Sequence, residues 1–433
     1  MFVTQLQANQ VISDGWTRRI EQPGQVRAHQ TIRVNPAIQF QTMRGMGGAF
    51  SELGHIALQR LSPALYQQTL QALFSPEGCN LSFCRMPIGA SDFATDAYSL
   101  NDTAGDFEMA QFSLARDACH LLPFIKDAQQ YQPALALHAS PWSPPAWMKD
   151  NQDFVFGGSL FDDEKYYRAY ALYLCKFIEE YAAQGITIER LVVQNEVDSA
   201  PKFPGCIMNA AQMTKFVCDY LKPLMVQRGV KAALWAGTFR SVTEMNAYEY
   251  AAQADLVAAV EGFAFQYTLS DELHEFTRRY PKIKIMHTES ACYKGENSNE
   301  FAFNLFFDFL DYVKSGCDSF TYWNTVLCVE NKNTWEWPQN SMVSITPEGE
   351  VIYNPDFYVM RELSHALPSG SVRVEAFCTT HRVVAFVTPS QEIVTVTANL
   401  SAQAQPVTVI VGQAEHTFTL PPYSIQALCC PLA

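Results

Sequence analysis

Glu196 and Glu289 each stand where an apolar run has just ended. Residues 189–198 read Glu-Arg-Leu-Val-Val-Gln-Asn-Glu-Val-Asp, so Leu191, Val192 and Val193 give way at once to Gln194, Asn195, Glu196 and Asp198. Residues 282–290 have the same grammar, Lys-Ile-Lys-Ile-Met-His-Thr-Glu-Ser, and end at Glu289. A parallel strand covered on both faces reads as a continuous apolar run, and in a closed barrel its C-terminal end delivers the reactive groups. Two such ends, each offering one carboxyl group, suit chemistry in which one donates a proton while the other attacks or activates water. A lone strand-end Glu does as well capping the next helix or pairing with a surface Lys. Two of them, each followed by a helix-like segment, tip the balance to catalysis.

Positioning these groups is the task of a repeated strand, loop and helix pattern that begins near Arg44. The pattern predicts strands over 45–50, 81–87, 134–139, 191–195, 232–236, 262–266, 283–287 and 319–323. Apolar residues at three- and four-residue steps predict helices over 164–182 and 301–314, with Gly316 placed to end the second. Eight alternating units in about 280 residues fit a (β/α)8 TIM barrel better than an open sheet. Beyond 367 the composition shifts to Val, Thr and Phe with partial alternation, over 372–387, 392–410 and 420–430. That tail reads as a β-sandwich side domain, joined by the N-terminal segment, where Thr31-Ile32-Arg33-Val34 alternates after a Pro23-Gly24 turn signal. The expected division is 1–43 and 367–433 for the side domain and 44–366 for the barrel. Leu367 through Gly370 and Asn35-Pro36 are the expected linkers.

Composition narrows the class. Apolar residues make up 48% of the 433-residue chain and charged residues 17%, which permits a large core and argues against disorder. A net charge of −14 without a basic run speaks against nucleic acid as a partner. The twelve Cys show no CxxC pair and no zinc spacing, so no metal is expected, and reduced thiols are the simplest reading. The first ten residues lack a basic stretch followed by an apolar one, and no apolar run reaches membrane-spanning length. The expectation is a soluble, cytoplasmic protein with no membrane partner.

In a barrel, the strand ends gather into one site. They would bring Arg85, with Ser91-Asp92-Phe93 beyond it; His138, Ser140 and Trp142; Asn195 and Glu196; Gln266 and Tyr267; His287 and Glu289; and Tyr322, Trp323 and Asn324. Two carboxylates among aromatic rings and amide donors are what glycoside hydrolysis requires. Six stretches, in order, resemble glycoside hydrolase family 30, the family of lysosomal glucosylceramidase. They are Gly45-Met46-Gly47-Gly48-Ala49-Phe50-Ser51-Glu52, Arg85-Met86-Pro87-Ile88-Gly89 with Ser91-Asp92-Phe93, ASPWSPPAWMK at 139–149, Gln194-Asn195-Glu196, Thr288-Glu289, and Tyr322-Trp323-Asn324.

The resemblance implies a (β/α)8 barrel with a β-sandwich built from both chain ends, and retaining double displacement. It makes Glu196 the acid/base and Glu289 the nucleophile. It implies that Asn195 hydrogen-bonds the sugar 2-hydroxyl, that Asp92, Trp142 and Trp323 bind the ring in the −1 subsite, and that Arg85 lies beside Glu289 and favours its ionised form. Tyr267 joins this substrate-binding set. The Gln266-Tyr267 pair departs from the His-containing pattern of glucosylceramidase, which favours a small soluble β-glucoside or β-glucan fragment over a lipid. Xylosides, fucosides and β-1,6-glucan are the alternatives. No cofactor is required. A metal-dependent barrel using His138, Glu196 and His287 and a non-catalytic carbohydrate-binding barrel are the rivals. Trp335 and Trp337, after the eighth strand, would line the aglycone side or pack on the sandwich.

Overall fold

In the computed structural model, residues 3–7, 10–14, 30–240, 246–290, 294–330 and 334–432 are described. Eight short, almost wholly buried strands pair in parallel: Gly45–Ala49, Phe83–Ile88, Ala136–Pro141, Ile188–Val192, Ala233–Phe239, Gly262–Gln266, Lys284–Glu289 and Ser319–Asn324. The last lies beside the first, and the ring closes between the seventh and eighth, where Asp318 N donates to Ile285 O at 3.2 Å and Ser290 N to Thr321 O at 3.0 Å. Burial on both faces explains the continuous apolar runs: the sheet has side chains inside it and helices around it.

The strand over 191–195 predicted from the sequence actually lies at Ile188–Val192, so Asn195 and Glu196 fall beyond its ladder. Their backbone is held irregularly, by Asn195 N to Pro141 O at 2.9 Å and Glu196 N to Thr238 Oγ1 at 2.9 Å. The seventh strand runs the other way, past the expected 287 to Glu289, with a register shift between His287 and Glu289. Such bulges re-aim side chains next to a site. The first two strands approach so closely that a Cβ on Gly47 would lie 2.0 Å from Phe83 O, which is why glycine crowds this motif.

Helix Glu164–Ala183 turns Tyr167, Tyr170, Leu174 and Phe177 onto the barrel. Helix Asn299–Ser315 begins at the Ser298 side-chain cap and ends at Gly316, whose φ of 108° only glycine adopts readily. At the strand N-terminal ends, Arg190 makes a bidentate pair with Asp318 (2.8 and 2.7 Å), and Arg44 one with Glu189. That face carries stability rather than chemistry.

The side domain is a nine-stranded sheet combining Val3–Gln7, Gln10–Asp14 and Thr31–Thr42 from the N-terminal part with six strands from Val372–Phe377 to Ser424–Pro431. Ile32, Val34, Val383, Ile393, Val407, Phe418 and Leu428 share one apolar core, so its two wings close over each other as a sandwich. Asn35-Pro36 is not a linker. It lies inside strand Thr31–Thr42, where the pairing skips from Asn35 to Gln39, and Pro36 needs no ladder partner at that bulge. The Pro23-Gly24 turn signal lies outside the described residues.

Candidate active site

Neither Glu does the modest work its neighbours in sequence allowed. The following helices are capped by Asn209 and Ser298, and the charged partners are arginines on the second strand and just past the fifth. Arg85, fully buried at 0% exposure, donates from Nη1 to Glu289 Oε2 at 2.5 Å and from Nη2 to Asn195 Oδ1 at 2.7 Å and Ser140 Oγ at 3.0 Å. The Tyr267 hydroxyl donates to the other Glu289 oxygen. Both Glu289 oxygens are thereby fixed. Burial pushes its carboxyl up to about 7; Arg85 and Tyr267 pull it down, and the charge on Glu196 pushes it up.

Glu196 is held by three contacts that its own segment does not reveal. Gln266 Nε2 donates to Oε1 at 3.2 Å, Arg240 Nη1 lies 3.6 Å from Oε2, and Thr238 Oγ1 takes the backbone N–H. Gln266 also accepts from Thr288 Oγ1 at 3.0 Å, so one amide joins the two carboxylate-bearing strand ends. Arg240 is shared with Asp198, at 3.2 Å. Glu196 and Tyr267 both adopt left-handed backbone, at φ 45° and 51°. Non-glycine residues in that region cost roughly 1–2 kcal/mol and cluster at functional sites.

Asn195 Oδ1 accepts from Arg85 and, more weakly, from Thr238 and Gln266, which leaves its amide N–H groups for a ligand. Asp92 is buried, and burial first, then the charges of Glu289 and Glu196, raise its carboxyl well above the usual range. Its Oδ1 and the Trp323 Nε1 are buried polar atoms without a partner among the described residues. A ligand rich in hydroxyl groups would supply those partners.

Trp142 and Trp323 are not open sugar platforms. They stack on each other at 5.2 Å and 22°, and Arg85 sits 4.6 Å and 5.2 Å from the two ring centroids. Each ring is at most 2% exposed. They form the floor that locks Arg85 in place. His138 and His287 belong to the barrel wall: His138 Nε2 meets Thr321 Oγ1 at 3.0 Å, and His287 Nδ1 accepts the Thr321 N–H at 3.1 Å while stacking on Phe320. Burial pushes His287 down to about 3 and His138 well below its usual value. They are bonded core groups rather than ligands with Glu196. Among the described residues no His, Cys, Asp and Glu cluster could hold a metal ion.

The glycosyl hydrolase family 30 TIM-barrel domain matches residues 43–366, and the family's β-sandwich domain matches 370–428. The chain belongs to glycosyl hydrolase family 30. This family 30 glycosidase is 24% identical over 436 residues to the lysosomal acid glucosylceramidase of Mus musculus, covering 90% of this chain and 82% of that one. It is 29% identical over 213 residues to an endo-1,6-β-D-glucanase of Neurospora crassa, spanning 48% of this chain and 44% of that protein. Its fold matches the endo-β1,6-glucanase BT3312 with a TM-score of 0.88 at 23% identity, over 100% of this chain and 99% of that one.

Sequence reasoning named Glu196, Glu289, Arg85, Asn195, Asp92, Trp142, Trp323 and Tyr267, and the structure of this glycosidase gathers all eight. Ser140, gathered at a strand end by the sequence but given no role there, accepts from Arg85; Arg240 and Thr238 were missed. Arg240, one residue past the fifth strand, carried the only available signal, a charged residue directly after an apolar run.

Proposed function

We propose that the chain is a retaining β-glycosidase acting on β-glucosides and short β-linked gluco-oligosaccharides. Glu289 attacks the anomeric carbon while Glu196 gives its proton to the departing oxygen. Water, deprotonated by Glu196, then breaks the glycosyl–Glu289 ester and frees the sugar with its configuration retained. The observation that carries this reading is the fixing of both Glu289 oxygens, one by buried Arg85 and one by the Tyr267 hydroxyl. An aligned, ionised carboxylate is a nucleophile; a carboxyl left loose in the same pocket is not.

Glucose as the released ring is supported by the names of the relatives, since glucosylceramidase and 1,6-β-glucanase both act on glucosyl units. The endo-1,6-β-glucanase names also favour β-1,6-glucan fragments as the second reading.

The test is a panel of aryl β-glucoside, xyloside, galactoside and fucoside with wild type and Glu289→Ala, the variant also with azide. The glucoside is expected to turn over best. The variant is expected to be inactive and to yield α-glucosyl azide when azide is added. Full activity in Glu289→Ala would refute the nucleophile assignment. No turnover of any glycoside or gluco-oligosaccharide would favour a barrel that only binds.

A further inference from the structure

Trp142 and Trp323 are buried at the site, whereas Trp337, on the loop after the eighth strand, is 47% exposed. It stands edge to face on Phe203, with centroids 6.2 Å apart and planes at 88°. Phe203 in turn packs on the cluster of Trp142, Trp323, Phe93 and Leu327. An apolar surface therefore runs unbroken from the pocket floor to an exposed indole.

Both loops are built to hold this arrangement. Asn324, at the end of the eighth strand, donates from Nδ2 to Gln339 Oε1 at 2.7 Å, and the Thr334 hydroxyl donates to Ala94 O. These bonds pin the Trp337 loop at both sides. Lys149 Nζ donates to Asp153 O at 2.7 Å and Gly205 O at 2.7 Å, tying the Phe203 loop to the one before it. A buried ammonium spent on loop carbonyls marks a geometry that the fold maintains. The Phe203 loop also contains Asp198, whose pairing with Arg240 leaves polar groups 25% and 17% exposed beside Glu196. An exposed ring on an apolar surface that leads toward the hydrogen-bonding groups around Glu196 suits an object with an apolar face and a polar rim, such as a pyranose.

We propose that Trp337, seated on Phe203, is a stacking platform for the sugar ring next to the one being released, so that the substrate class is a β-linked oligosaccharide of at least two rings. The inference rests on the β-glucoside reading above. An alkyl chain is the competing occupant, because Phe156 and Ile207 on the adjoining loops are also exposed.

β-Glucosyl fluoride, which fills only the site of the released ring, separates the two levels of the argument. Trp337→Ala is expected to lower kcat/KM for gentiotriose by about tenfold or more while β-glucosyl fluoride hydrolysis stays within about twofold of wild type. Trp337→Phe is expected to restore most of the loss. Three results would overturn the platform: gentiotriose turnover unchanged in Trp337→Ala, an equal loss on the fluoride, or a larger loss on octyl β-glucoside than on gentiotriose. If wild type leaves the fluoride untouched, the β-glucoside reading itself falls and takes the platform with it.

Discussion

Arg85 Nη1 lies 2.5 Å from Glu289 Oε2, and the same guanidinium reaches Asn195 Oδ1 at 2.7 Å through Nη2. One fully buried cation thus aligns a carboxylate on the seventh strand with an amide beyond the fourth. Lys has the charge but not the planar fork, so it cannot serve both. Arg85→Lys is expected to lower kcat/KM on an aryl glucoside by about a hundredfold. Arg85→Met leaves a buried carboxylate without its counter-charge and is expected to cost about 3–5 kcal/mol of stability at pH 8, read by urea unfolding. Wild-type activity in Arg85→Met would remove Arg85 from the site.

Tyr267 controls the acid side of the pH profile. Its hydroxyl bonds to the charged form of Glu289, whose carboxyl titrates at about 7. Losing that bond favours the protonated form, so the titration moves upward. In Tyr267→Phe the acid limb of kcat/KM should shift to higher pH by about one unit, with the alkaline plateau less affected. A limb that stays in place or moves to lower pH would mean that Tyr267 does not act through Glu289.

The two carboxylates are separable by the sugar azide each variant makes. In Glu196→Ala, a 2,4-dinitrophenyl β-glucoside should still form the glycosyl-enzyme, because that leaving group needs no proton. Azide should then attack it to give β-glucosyl azide, the opposite anomer from that of Glu289→Ala. Identification of the azide by NMR checks the assignment; the α product from Glu196→Ala would exchange the two roles.

Glu362 lies far from the site, buried where helix Pro355–Ala366 meets the sandwich, and accepts the Ala427 N–H at 2.8 Å. Burial raises its carboxyl to about 8. In the unfolded chain it titrates near 4.5, so between those values the native state holds a proton that the unfolded chain has released. Its contribution therefore falls as pH rises, by about 1.4 kcal/mol per unit across the window. Glu362→Gln should abolish this component, and its stability relative to wild type should climb from pH 5 to pH 8. Chemical unfolding at several pH values measures it, and a constant difference would disprove the coupling.

The Gly45 and Ser319 strands, the 164 and 301 helices and the shift to β structure after 367 were legible in the sequence. Each depends on residues close along the chain: an apolar run, a three-to-four spacing, a glycine after the last turn. The two carboxylates were legible for the same reason, since each interrupts such a run. Of their supports, Arg85 beside Glu289 was expected and Gln266 was placed at a strand end, but Arg240 and Thr238 were not legible, because they reach Glu196 only once the fifth strand lies beside the fourth. Nor does sequence reveal the left-handed backbone at Glu196 and Tyr267, which the surrounding hydrogen bonds enforce against local preference.

The sequence by itself determined the kind of chemistry and the layered plan. The tertiary structure decided which aromatic ring is open and which is floor. Trp142, Trp323 and Trp337 share one side-chain chemistry, and what separates a 1% exposed indole from a 47% exposed one is the set of strands and loops packed around it. Burial, bond partners and the titration of a carboxyl are properties of the space a residue occupies, and that space is assembled by segments distant along the chain.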